Sequence, residues 1–186
     1  MSDSNLHLRL RAATAPAHEA LERDLDWQAR VSSLAGYRGL LARLRGFHAA
    51  WEPVIGTALS DGAFFDPRRR LDALDRDLAY LGLSTEDIAG LDRARSISLD
   101  GPATAMGALY VLEGSTLGGR VIGRHITAMH GLTGDGLAYY SGHGARTGAM
   151  WASFRARLDG YEGESEAVVA AANGTFDAMR VWLRSS

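Results

Sequence analysis

The chain contains no cysteine among its 186 residues. That excludes disulfides, thiolate metal centres and cysteine nucleophiles, and it agrees with a reducing cytoplasm, the compartment expected for this chain. No apolar run approaches the roughly 20 residues that a membrane span needs. The start, Met1-Ser-Asp-Ser-Asn-Leu-His7, lacks the basic segment and apolar core of a secretory signal. Charge is nearly balanced: the formal net charge is −2 and the pI is near 6.3. Neither nucleic acid nor an anionic membrane is therefore expected as a partner. Sustained apolar–polar alternation, internal repeats and low-complexity tracts are all missing. So are Glu-x-x-His, the mark of ferritin-like di-iron bundles, His-Glu-x-x-His, and the Gly-x-Ser-x-Gly elbow of α/β-hydrolases.

What is present is helical periodicity in an ordinary globular composition, 46% hydrophobic and 23% charged. Leu34, Tyr37, Leu40, Leu41, Leu44, Phe47, Trp51, Val54 and Ile55 recur at i, i+3, i+4 and i+7 behind the cap candidates Ser32 and Ser33. Arg38, Arg43 and Arg45 take the opposite side. Similar patterns predict helices over roughly Ser4–Leu25, with a kink or break at Pro16, and over Arg69–Leu81. Another runs from Ser84, boxed with Asp87, to about Ala94. A glycine-rich helix opens at Pro102, and two more span Thr147–Leu158 and Ser165–Leu183. Loops are expected at Ser60–Gly62 and Gly131–Gly144; Tyr139-Tyr-Ser-Gly-His-Gly144 is too short and glycine-rich for a sheet. The reading is an all-α bundle of seven or so helices in one domain spanning residues 1–186.

Seven glycines fall between Gly101 and Gly131, and Gly114, Gly118, Gly119 and Gly123 interrupt a helical pattern. Each costs a helix interior about 1 kcal/mol against alanine. Together that is roughly 4 kcal/mol, out of a typical stability of about 5–15 kcal/mol. Bare backbone on this scale implies close approach, either by another helix or by a flat ligand lying against the face of Gly114, Ser115, Gly118, Gly119 and Ile122. A phosphate loop is disfavoured, since no Lys-Ser/Thr follows the glycines and no strand precedes them.

His18 is the first candidate for chemistry. Neutral imidazole is a good axial ligand for haem iron, and Glu22, one turn later, could orient the ring through its other nitrogen. The same spacing equally describes a surface ion pair. Arg11 lies seven residues before His18, on the same stripe about 10 Å away along a continuous axis. That suits an arginine pairing with a carboxylate of a ligand held at His18, or a solvated side chain. Among the other histidines, His48 reads as packing, His125 and His130 as surface or supporting groups, and His7 and His143 carry no assignment.

Taken together, Leu10-Arg-Ala-Ala-Thr-Ala-Pro-Ala-His18-Glu-Ala-Leu-Glu22 and Leu109-Tyr-Val-Leu-Glu-Gly114-Ser-Thr-Leu-Gly118-Gly119 resemble the proximal helix and the kinked distal helix between which haem oxygenases sandwich haem. Trp151-Ala-Ser-Phe-Arg155, Tyr161 and Asn173-Gly-Thr-Phe176 extend the resemblance over nearly the whole chain. It is nearest the bacterial branch that often accompanies bacteriophytochromes. The resemblance implies haem as substrate and cofactor, its iron ligated by His18 beside Glu22, with Arg11 and Arg155 on the propionates. The backbone at Gly118 and Gly119 would crowd bound dioxygen, Gly114 would lie against the haem, and donors and waters near Ser115 would deliver the protons. It also implies an external electron donor (ferredoxin, flavodoxin or reductase) and opening of the ring to biliverdin, carbon monoxide and ferrous iron. One departure stands out. Many family members have aspartate after the first glycine of the distal motif, and Ser115 stands there in this chain. That keeps a second reading open, a non-enzymatic tetrapyrrole carrier or sensor on the same fold, and a third, an all-α interaction module without cofactor.

Overall fold

The computed structural model describes residues 5–95 and 98–184. Nine α-helices and no strand occur among the described residues. Helix α1 (Leu6–Leu25) is capped by Asn5, whose side chain accepts the Leu8 N–H. The expected start at Ser4 lies outside the described residues. The expected break at Pro16 does not occur, and α1 runs through it. Pro16 and Ala12, whose carbonyl loses its intrahelical donor, are both exposed, so water can serve that oxygen. A single turn, α2 (Trp27–Arg30), leads to α3 (Leu34–Leu59), capped by Ser33 on the Gly36 N–H.

Two corrections concern the segments that follow. The short helix α4 (Gly62–Phe65) begins at the last residue of the expected Ser60–Gly62 loop and runs into a 3-10 turn at Asp66–Arg68, and α5 is confined to Leu71–Tyr80 within the expected Arg69–Leu81. Its first amides, at Arg70 and Leu71, turn away to donate to the Glu52 carboxylate at 2.7 and 3.1 Å. Helix α6 (Thr85–Ala89) has the expected Ser84–Asp87 capping box but stops five residues early. The chain leaves it so that the Ala94 N–H can donate to the Gly46 carbonyl at 3.1 Å. Gly46 permits that approach, since a Cβ there would strike the Asp92 carbonyl.

The glycine-rich helix is unbroken. It forms α7 (Pro102–His130), 29 residues or about 43 Å long. Helices α8 (Thr147–Asp159) and α9 (Ser165–Arg184) complete the chain. Helix α9 packs along α7 and α1, and α3 supports α7 from the other side. Gly107 marks the tightest part of that crossing. A Cβ there would meet the Val168 carbonyl oxygen and come within 2.9 Å of both Ala171 Cβ and Ala172 N. The core beneath is dominated by α3, where Phe47 and Trp51 stack at 4.8 Å between centroids, with Leu10, Leu74, Leu78 and Phe154 fully buried around it.

The 131–144 loop has no strand, as expected, yet it is packed rather than solvated. Tyr139 and Tyr140 are buried. The Asp77 carboxylate accepts the N–H groups of Gly136, Ala138 and Tyr139 at 2.8–2.9 Å. Arg70 donates to the carbonyls of Ala138 and Tyr139. One acid and one base thus satisfy the backbone of a loop that has no ladder of its own.

Candidate functional site

Helices α1 and α7 stand on either side of a cleft of about 560 Å³, closed by α8 at one end and floored by Phe176 and Met179 of α9. That volume lies within the usual range for small-molecule sites, roughly 300–1,000 Å³. The heptad-like stripe His7, Arg11, Thr14, His18 and Leu21 forms the α1 wall, and Tyr110, Val111, Gly114, Ser115 and Leu117 form the opposite one.

His18 is half exposed, its ring edge-on to Phe176 at 5.6 Å. Glu22 Oε2 lies 3.7 Å from His18 Nδ1, an ion-pair separation longer than a hydrogen bond, and Glu22 stays outside the cleft lining. Arg11 and Arg155 both line the cleft, and neither has a carboxylate partner among the described residues. Two unpaired guanidiniums facing one cavity create a demand for anionic groups, which carboxylates satisfy best.

The four interrupting glycines divide into two pairs. A Cβ at Gly114 or Gly118 would meet nothing within 4 Å, and Gly114 lines the cleft. Gly119 and Gly123 are buried against the loop instead: a Cβ would lie 3.1 Å from Tyr140 Cδ1 at Gly119 and 3.3 Å from Tyr140 Cβ at Gly123. The structure therefore brings together His18, Arg11, Arg155, Gly114 and Ser115. Gly118 is exposed one turn beyond Gly114, while Gly119 faces Tyr140 and Ile122 packs against the core.

One residue without an assignment in the sequence belongs to this site. His7 lines the cleft, edge-on to Trp151 at 5.6 Å and Tyr110 at 6.4 Å. Burial lowers its imidazole below the ordinary range, and the Arg155 and Arg11 guanidiniums add to that against the Asp159 carboxylate. Its spacing from Arg11, four residues, is a signal that could have placed it. His48 is buried as expected, but its ring bonds to Glu52 and Tyr139 rather than only packing. Of the others, Nε2 of His130 lies 2.7 Å from the Val31 carbonyl, and His125 packs edge-on to Trp27 at 5.2 Å. Burial and the nearby Arg70, Arg146 and Arg68 push His143 down to about 4.

Glu113, next to Gly114, is buried with Arg68 Nε 3.8 Å from its carboxylate. Burial raises its carboxyl to about 7 against the pull of Arg68 and Arg70. Folded protein thus keeps a proton that an unfolded chain loses above about 4.5. The resulting stability is present below that pH and is lost as pH rises through about 7. Urea unfolding of Glu113→Gln should show it gaining about 3 kcal/mol on wild type between pH 4.5 and pH 8. A pH-independent difference would contradict the raised carboxyl.

Residues 4–185 match the family model described as "Heme oxygenase". No relative among curated sequences matches the chain. Among solved structures, the chain is similar to heme oxygenase from Leptospira interrogans (17% identity, TM-score 0.78), with 98% of this chain and 100% of that one covered. It is also similar to the NO- and CO-bound heme oxygenase of Neisseria meningitidis (23% identity, TM-score 0.74), covering 97% and 90%. At these identities the structures speak for the all-α fold, and the family match over nearly the full length decides membership: this chain belongs to the haem oxygenase family.

Proposed function

We propose that the protein is a haem oxygenase that opens haem oxidatively to biliverdin, carbon monoxide and ferrous iron. The observation that carries this reading is the cleft itself. A half-exposed imidazole and two unpaired guanidiniums line it opposite a helix face stripped to backbone at Gly114. This donor set suits an iron porphyrin: a nitrogen ligand for the metal, cations for two carboxylates, and a flat gap for the ring.

In this reading His18 is the iron ligand, with Glu22 near enough to bias its ring orientation through solvent. Arg11 and Arg155 hold the propionates and so fix the rotation of the ring in the cleft. Gly114 and Gly118 leave room on the α7 side, and Leu117 and Val111 keep that side partly apolar. Ser115 offers a hydroxyl on this wall of the cleft, one turn beyond Tyr110, and orders water there. Haem itself supplies the metal and redox chemistry, with dioxygen as co-substrate and electrons from an external ferredoxin, flavodoxin or reductase. A bacteriophytochrome is the proposed acceptor of the pigment, on the sequence resemblance. Among the described residues no helix is long and apolar enough to cross a membrane.

Hemin titration followed by reductant under air tests the reading. The expected result is uptake of one hemin, loss of the Soret band and growth of a biliverdin spectrum. Uptake without reaction selects the carrier or sensor, for which serine in place of the usual aspartate speaks. No uptake rejects both.

A further inference from the structure

The cleft is charged unequally along its length. On the α1 wall His7 and Arg11 precede His18, and Arg155 of α8 joins them at that end, where both guanidiniums act on the His7 ring. Beyond His18 the same wall turns acidic. Glu19 is the one carboxylate lining the cleft among the described residues, and it is exposed. Glu22, outside the lining, adds a second negative charge on that side.

No hydrogen bond or ion pair engages Glu19 among the described residues. Arg23, one turn later, is the natural partner, yet its Nε lies 3.9 Å from the Asp24 carboxylate instead. Thr14 and Leu21 are buried on the inner edge of the stripe, whereas Glu19 stands on the outer edge, where the cleft meets solvent. Eight residues separate Glu19 from Arg11, roughly 12 Å along the axis. That is farther than the roughly 8 Å over which exposed charges are felt at physiological salt. The acid therefore does not neutralise the arginine, and each presents its own charge to whatever enters.

A flat ligand with two carboxylates on one edge finds unpaired guanidiniums at one end of this cleft and an unpaired carboxylate at the other. Attraction favours the seating with both carboxylates at the arginine end. Discrimination against a ring turned in its own plane is steeper when the wrong seating also meets a repelling charge. We propose that Glu19 is a specificity-determining residue whose charge bars carboxylates from the cleft beyond His18 and so leaves the ring one rotation. The product isomer follows from that rotation. The inference rests on the haem oxygenase reading and adds a repelling group to the two arginines that hold the propionates.

Titration and proton NMR of the ferric cyanide complex test it, with 2,4-dimethyldeuterohemin as the probe. That hemin has two-fold symmetry through its propionate edge, so a simple flip of the ring gives no second signal. Wild type should show one set of ring-methyl lines. Glu19→Arg, at an exposed and unpaired position, should fold and keep the band positions of the complex, since arginine stays protonated and cannot replace His18 as ligand. Its affinity should stay within about threefold of wild type, while a second set of lines rises to about a tenth of the signal or more.

Exchanging the charges tests the reverse arrangement. Arg11→Glu should weaken binding of the probe about tenfold, and adding Glu19→Arg should restore most of that loss with the second set of lines now the larger. A single set in Glu19→Arg, several sets in wild type, or an exchanged protein that binds no better than Arg11→Glu overturns the proposal and leaves the haem oxygenase reading standing. Failure of wild type to take up the probe or hemin itself overturns both.

Discussion

His18→Ala should leave the protein folded and abolish the Soret and visible bands of a histidine-ligated hemin complex. His18 is half exposed and its one ring contact is edge-on to Phe176, so the lost packing is small, within about 1 kcal/mol. The loss of ligation is not small, because alanine offers the metal no electron pair. His7 is the natural rival, as it lines the same cleft on the same face of α1. Eleven residues separate the two, roughly 16 Å along the helix, and His7 sits at the end where Arg155 and Arg11 act on it. His7→Ala should therefore keep the band positions and weaken hemin binding only modestly. Unchanged bands in His18→Ala, or lost bands in His7→Ala, would reverse the ligand assignment.

Gly114→Leu should lower hemin affinity on the order of a hundredfold and leave thermal stability unchanged or slightly higher. Its Cβ would point into open space in the cleft, so the side chain would occupy volume proposed for the ring. Replacing a helical glycine also removes a conformational cost of about 1 kcal/mol. Gly107→Ala should show the opposite pattern. It forces a methyl group against the α9 backbone and should lose roughly 1–3 kcal/mol of stability, with hemin affinity retained. Measured side by side by calorimetry and hemin titration, the two variants separate a binding glycine from a packing glycine. Wild-type hemin affinity in Gly114→Leu would mean that the open face of α7 is not where the ligand lies.

The division among the glycines shows why the sequence was legible only in part. All four of them read alike in a linear pattern, as interruptions of one helix. Two face empty space and two face Tyr140, a residue of the loop that follows α7. Nothing within a helical turn of Gly119 announces that tyrosine. The same holds for His48, whose partner Tyr139 lies 91 residues away. It holds for Asp77 too, which clamps a loop some 60 residues downstream. Buried polar groups are satisfied by whatever the fold brings to them, and a periodicity search sees only the apolar face that buries them.

By itself the sequence determined the all-α class, most helix boundaries, the capping box at Ser84 and the pairing of His18 with a glycine-rich helix. Those features rest on interactions within four residues, or on a motif contiguous in the chain. Tertiary structure alone decided that α1 passes unbroken through Pro16 and that His7 shares the cleft with His18. It alone turned Gly114 to the cleft and Gly119 to Tyr140, and joined Tyr139, His48 and Glu52 in one buried chain. The physical reason is burial. Which face of a helix is wet, and which polar atom must find a partner, depends on neighbours that arrive from distant parts of the chain.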